Sequence, residues 1–138
     1  MSLSLDTNVF IELIRGRNRL VRRRFAEASA APEPLVASLI VAHELYYGAE
    51  VHPDPFAQLR NAHLILAQVG VTPFDARDMG MAAKVRARLK ARGLAIGPYD
   101  ALIAGQALAR RWTVVTANVR EFSRIDGLKV IDWTAAGD

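Results

Sequence analysis

Three carboxylates and one amide stand where the chain changes from one kind of local structure to another, and together they could do chemistry. Asp6 closes the short apolar run from Ser2 to Leu5 and precedes Thr7-Asn8 at a helix start. Asp, Thr and Asn all cap helix N-termini, so Asp6 reads either as a cap or as part of a site. Glu44 falls in a helical stretch with Val41, Leu45 and Gly48 at i−3, i+1 and i+4, which predicts that it shares the buried face. An unpaired carboxylate there is costly through desolvation, and either a buried arginine or a bound cation would relieve it. Asp100 lies just after Gly97-Pro98, in the first turn of a helix, where the macrodipole favours an anion. Asn118 follows the strongest strand pattern in the chain, and Thr116 at that strand's end offers a hydroxyl to a ligand or a carboxylate. Asn118 itself reads as a turn residue or as part of the same site.

Each position has an ordinary structural reading, but all of them must then hold at once. A group of hard oxygen donors suits Mg²⁺ or Mn²⁺ rather than zinc. The chain has no cysteine, which excludes disulfides, a thiolate metal site and a cysteine nucleophile. His43, His52 and His63 lack metal-ligand spacing and read as ordinary surface or core residues.

The elements that must position these groups alternate. Strands are predicted at Ser2 to Leu5, Leu35 to Ala37, Val71 to Thr72, Thr113 to Thr116 and Lys129 to Ile131. Helices are predicted from Thr7 to about Ile14, Arg19 to Ala30, about Leu39 to Ala49, after Pro55 to about Val69, Asp75 to Arg92 and about Pro98 to Arg111, with a short one after Asn118. Ser38 is a plausible N-cap for the third of these. Strands separated by helices imply βαβ units, hence a mostly parallel sheet with helices on both faces. Ligands bind beyond the carboxyl ends of such strands, which is where Asp6 and Asn118 fall.

The 138 residues fit a single domain spanning 1–138, and an apolar share of 51% can fill its core. No repeat, low-complexity tract or dividing linker interrupts it. Met-Ser-Leu-Ser-Leu-Asp lacks a basic n-region and no run is long enough for a membrane span, so a cytoplasmic protein is expected. Basic residues outnumber acidic ones 18 to 14, for a net charge of +4. Arg15, Arg17, Arg19, Arg22, Arg23 and Arg24 form one cluster, and Lys84, Arg86, Arg88, Lys90 and Arg92 another. The second flanks the apolar stripe Ala82, Val85, Leu89 on both sides. Such surfaces suit a polyanion such as nucleic acid, or are simply solvated helix faces.

Leu5-Asp6-Thr7-Asn8, Ala42-His43-Glu44-Leu45 with Tyr47-Gly48-Ala49, Gly97-Pro98-Tyr99-Asp100 through Ala104-Gly105, and Val114 through Phe122 resemble, in order, the motifs of VapC-type PIN-domain toxins. Ile125-Asp126-Gly127-Leu128 and Asp132-Trp133 are similar to the family's C-terminal ending. The resemblance implies a PIN-like three-layer α/β/α sandwich with a parallel five-stranded sheet, and an acidic site for one or two Mg²⁺ or Mn²⁺ ions. It implies RNA phosphodiester cleavage, neutralisation by a small VapB-like antitoxin, and a homodimer. Carried over residue by residue, Asp6, Glu44 and Asp100 become the catalytic, metal-binding acids, and Thr7, Asn8, Thr116 and Asn118 their supporting residues. Many PIN domains place a fourth acid where this chain has Asn118, as related toxins also do; Glu121 either supplies that charge or is a solvated helix residue.

The expected chemistry is in-line attack on phosphorus by a water that the cation activates. RNA binding is assigned first to the Lys84 to Arg92 cluster, and the Arg15 to Arg24 cluster to an acidic antitoxin segment. A catalytically inactive PIN-fold RNA- or protein-binding module is the alternative, and retention of the three acids argues against it. A receiver-like phosphotransfer domain is disfavoured because Asp6 is followed by Thr-Asn and no lysine follows a late strand until Lys129.

Overall fold

Among residues 1–135, which the computed structural model describes, five strands alternate with seven helices. β1 (Leu3–Leu5) leads into α1 (Thr7–Arg15) and α2 (Arg19–Ala30), β2 (Leu35–Ser38) into α3 (Leu39–Glu50) and α4 (Pro55–Leu66). β3 (Gly70–Thr72) is followed by α5 (Ala76–Ala91) and α6 (Pro98–Arg110), β4 (Thr113–Val115) by α7 (Val119–Phe122) and β5 (Val130–Ile131). The expected elements are all present, with shifted ends. α1 runs on to Arg15 because Gly16 accepts the left-handed φ of 67° that closes the helix. Thr116 and Lys129 lie outside the strands expected to contain them, and Ser38 both ends β2 and caps α3.

All strand pairs are parallel, in the order β3-β2-β1-β4-β5. Right-handed crossovers then put α1 to α4 on one face and α5 to α7 on the other, giving the three-layer α/β/α architecture. Chain direction across the sheet reverses between β1 and β4, where Leu5 pairs with Val115. The residues just past that pair, Asp6 and Thr116, therefore stand side by side at the switch point, where such sheets bind ligands. Asp6 N donates to Val115 O at 2.9 Å and Thr116 N to Ile131 O at 2.9 Å, so both remain in register.

Leu5, Ala37, Val114 and Val115 on the strands and Phe10, Val41, Ile103 and Phe122 on the helices are the fully buried centre of the core. α5 and α6 make the most extensive helix pair. Gly105 permits it: a Cβ at that position would overlap Ala82. The pair is also bolted at one end. Asp78, fully buried on α5, accepts from Arg110 Nε at 3.0 Å and Nη2 at 2.9 Å, and from Gln106 Nε2 at 3.1 Å. Burial alone would raise the Asp78 pKa. The Arg110 hydrogen bonds, the Asp75 N–H, the guanidinium charge and Gln106 outweigh it and hold the carboxyl below its ordinary value. No described helix is long and apolar enough to cross a membrane.

Candidate metal centre

β1 delivers Asp6 to the switch point with only 4% of its surface exposed. It is a helix cap and more. Oδ1 accepts from Thr7 N at 2.8 Å, while Oδ2 accepts from Thr116 Oγ1 at 2.8 Å and Asn8 Nδ2 at 3.2 Å. Burial raises its pKa, and repulsion from Glu44 adds to this; the Thr116 and Thr7 hydrogen bonds oppose both.

Thr116 joins the two halves of the site. Its hydroxyl donates to Asp6 and accepts from Asn8 Nδ2 at 3.1 Å and from Asn118 N at 2.9 Å, which uses its full capacity. Asn8 returns the link, its Oδ1 accepting from Ala117 N at 3.2 Å. Thr7 Oγ1 donates to Glu44 Oε1 at 2.7 Å, tying α1 to α3. Asn118 Nδ2 donates to Asp100 Oδ2 at 3.3 Å and to Glu121 Oε2 at 3.0 Å.

Glu44 corrects an expectation. Its helix buries Val41, Ala42, Leu45 and Ala49, whereas Gly48 is exposed and Glu44 is half-buried at the edge of that stripe. α3 packs on α1 and α4 as well as on the sheet, which turns the stripe toward Ala42 and Ala49. Among the described residues no arginine pairs with Glu44; the Thr7 hydroxyl donates to it instead.

Asp100 sits in the first turn of α6, whose N-cap Gly97 makes no side-chain hydrogen bond. The helix dipole does not decide its ionisation. Burial first, then the charges of Asp6 and Glu121, push its carboxyl from 3.8 to about 6, with a carboxyl contact to Glu121 adding to the rise and Asn118 opposing it. Glu121 thus faces the site from α7. The signal for it was the i, i+3 spacing from Asn118 across a helix start.

Among the described residues no three acidic, His or Cys side chains form a ready metal-holding group, so closing on an ion requires side-chain movement. The donor set nonetheless fits a hard divalent cation. Asp6, Glu44, Asp100 and Glu121 have no lysine or arginine ion partner among the described residues, and the burial and mutual repulsion that raise Asp6 and Asp100 are opposed by hydrogen bonds rather than by a cationic side chain.

The histidines are all exposed; His43, beside Glu44, makes an edge-on contact with Tyr99, beside Asp100, at 5.9 Å. Lys84, Arg86, Arg88, Lys90 and Arg92 are exposed as well, on two flanks of α5. Arg86 and Lys90 line a cavity beside the start of α6, whereas Arg88 and Arg92 face Arg124 and Asp126, with Arg92 paired to Asp126 at 3.7 Å. In the other cluster, Arg15 pairs with Glu12 at 3.9 Å and Arg23 with Glu27 at 3.7 Å, and Arg24 donates to Asp132 O at 3.0 Å. Two grooves, of about 330 and 300 Å³, reach the site past Arg15, one along Glu44 and one along Asn8 and Ala117.

Comparison with known proteins places the chain in a family. A family model described as PIN domain matches residues 3–128. The tRNA(fMet)-specific endonuclease VapC of Shigella flexneri is 34% identical over 97% of this chain and 99% of its own length. The crystal structure of DNA-bound VapBC from Salmonella typhimurium superposes with a TM-score of 0.89 at 34% identity, covering 96% of this chain and 98% of that one. VapBC2 from Rickettsia felis, bound to a DNA fragment from its promoter, gives 0.91 at 28% identity over 96% and 99%.

Proposed function

The chain belongs to the PIN-domain family, in its VapC-type branch, and on that premise we propose that it is a divalent-cation-dependent endoribonuclease acting as the toxin of a toxin–antitoxin pair. The observation that carries this reading is the continuous hydrogen-bonded run from Glu44 through Thr7, Asp6, Thr116 and Asn118 to Asp100. It assembles three acids from distant places in the chain at the sheet's switch point, with Glu121 joined through Asn118, and without a cationic partner among the described residues.

Asp6, Glu44 and Asp100 would hold Mg²⁺ or Mn²⁺, with Glu121 adjoining. When bound, such an ion lowers the pKa of a water and offsets charge on the phosphate oxygens. Thr7, Asn8 and Thr116 fix the Asp6 carboxylate in one orientation, which pre-organises the site. Asn118 holds Asp100 and Glu121 side by side through a single amide. In the reaction a water oxygen attacks phosphorus and gives up a proton to solvent, the P–O bond opposite breaks, and the leaving oxygen takes up a proton from solvent. No side chain of the site stands as a dedicated base.

The Shigella relative's named activity makes transfer RNA the first substrate to test. A VapB-like antitoxin encoded nearby would be the neutralising partner, reaching the acids along the grooves beside Arg15, and a second copy of this chain would complete a homodimer. Inducing wild type and Asp100→Asn in cells and mapping new RNA 5′ ends tests the activity. Discrete new ends with wild type only are expected. Identical ends in both, or none in either, would contradict it.

A further inference from the structure

The basic residues of α5 do not form one surface. Along a helix of 3.6 residues per turn, Arg86 and Lys90 lie one turn apart on one flank of the buried Ala82, Val85, Leu89 stripe, and Lys84, Arg88 and Arg92 lie on the other. On the first flank the α5–α6 connection lines a half-open cavity of about 380 Å³. Its walls include Ala83, Ala87, Ile96 and Ala101, with Arg86 and Lys90 at the polar side. Neither cation makes a hydrogen bond or ion pair among the described residues, so both are free to meet a ligand.

Ala101, in the cavity wall, is the residue after Asp100 in the first turns of α6. Its volume lies within the range of pockets that take small ligands, about 300–1,000 Å³. Apolar walls with a guanidinium and an ammonium at the rim match an unpaired nucleotide: the base face lies against Ala and Ile side chains, and the phosphate meets Arg86 and Lys90. On the opposite flank, Arg92 is already engaged by Asp126 and the Arg124 carbonyl, and the cleft there is about 30 Å³. That cleft is too small for a base.

We propose that the cavity between α5 and the start of α6 is a nucleotide subsite, holding an unpaired RNA residue that flanks the phosphate cut at Asp6 and Asp100, with Arg86 and Lys90 binding its phosphate. The proposal rests on the ribonuclease reading above and narrows the RNA path to one flank of α5.

The test uses a fluorescent RNA hairpin with an unpaired loop, bound in EDTA so that it is not cut, and the same hairpin with abasic loop positions. The Arg86→Glu, Lys90→Glu double variant is expected to bind the hairpin on the order of tenfold or more weakly, as removal of charge-assisted hydrogen bonds predicts. Its salt dependence should flatten by about 0.7 in slope for each phosphate that the variant no longer neutralises. Arg88→Glu should weaken binding less than about threefold, through screened long-range charge alone. Ala87→Leu, which narrows the cavity without altering charge, should weaken the looped hairpin and leave the abasic one unchanged. Thermal midpoints confirm that each variant is folded. Equal weakening by Arg88→Glu and the double variant, or an Ala87→Leu that weakens both hairpins alike, would overturn the subsite. Wild-type cleavage of the hairpin when Mg²⁺ is restored keeps that failure separate. A wild type that neither binds nor cuts would overturn the ribonuclease reading as well.

Discussion

Replacing Asp100 by Asn keeps the side chain's shape and removes its charge, which separates what the acidic site costs the fold from what it does for the reaction. Burial, Asp6 and Glu121 move this carboxyl from 3.8 to about 6. About two pKa units at about 1.4 kcal/mol each amount to about 3 kcal/mol against the ionised form. Asp100 is only partly buried, and solvent screening brings this to about 1–2 kcal/mol. The folded chain holds this proton more tightly than the unfolded chain, so stability falls as pH rises from 3.8 to about 6. The penalty is complete above that window and absent below it. In EDTA at neutral pH, Asp100→Asn should therefore be more stable than wild type by about 1–2 kcal/mol, a Tm rise of roughly 3–8 °C for a chain of this size. The difference should fade as pH is lowered through about 6 toward 3.8. Added Mg²⁺ or Mn²⁺ should raise the Tm of wild type and not that of the variant, which should no longer cleave RNA. Thermal unfolding followed by circular dichroism, with and without chelator, reads the stability differences, and a cleavage assay reads the activity. A variant no more stable than wild type at neutral pH, or one whose advantage persists below 3.8, would refute the electrostatic account of Asp100.

Thr116→Val preserves shape while leaving Asp6, Asn8 and Asn118 each short of a partner; it should cost about 1–3 kcal/mol in urea unfolding and slow RNA cleavage mainly through kcat. Gly105→Val should cost at least about 1–3 kcal/mol, because α5 must move away from α6, and should lower activity by displacing Asp100. Arg110→Met strands the buried Asp78 and should cost about 3–5 kcal/mol at neutral pH. Because Asp78 titrates below its ordinary 3.8 in the fold, the wild-type contribution is present above that value and lost as pH falls through the lowered one, so the deficit should shrink in acid. Urea unfolding curves at several pH values check this.

The alternation of strand and helix patterns was enough to anticipate the α/β class and to put Asp6 and Asn118 at strand ends. Asp6 declared itself through Leu5 and Thr7, its immediate neighbours. Strand order was not legible from periodicity, since nothing local to Leu5 says that Val115 rather than Val71 lies beside it. For the same reason the role of Thr116, which bonds residues 108 and 110 positions away, depended on the fold. Glu44 was placed on the buried face because spacing to Val41 and Leu45 ignores how far a helix turns when it packs on two neighbours at once. The ion pair between Asp78 and Arg110 left no local trace, as its 32-residue separation is bridged by the close approach of α5 and α6 at Gly105. The α5 basic cluster was visible as composition, but its division between a cavity and a closed flank is a property of the α5–α6 connection.

The most direct measurement is RNA cleavage by the purified chain after chelation, with Mg²⁺ or Mn²⁺ added back, for wild type and for Asp6→Asn, Glu44→Gln and Asp100→Asn. The account predicts that the cation restores cleavage to wild type and to none of the three variants. Cleavage that continues in EDTA, or Asp100→Asn cutting at the wild-type rate under limiting Mg²⁺, would contradict it.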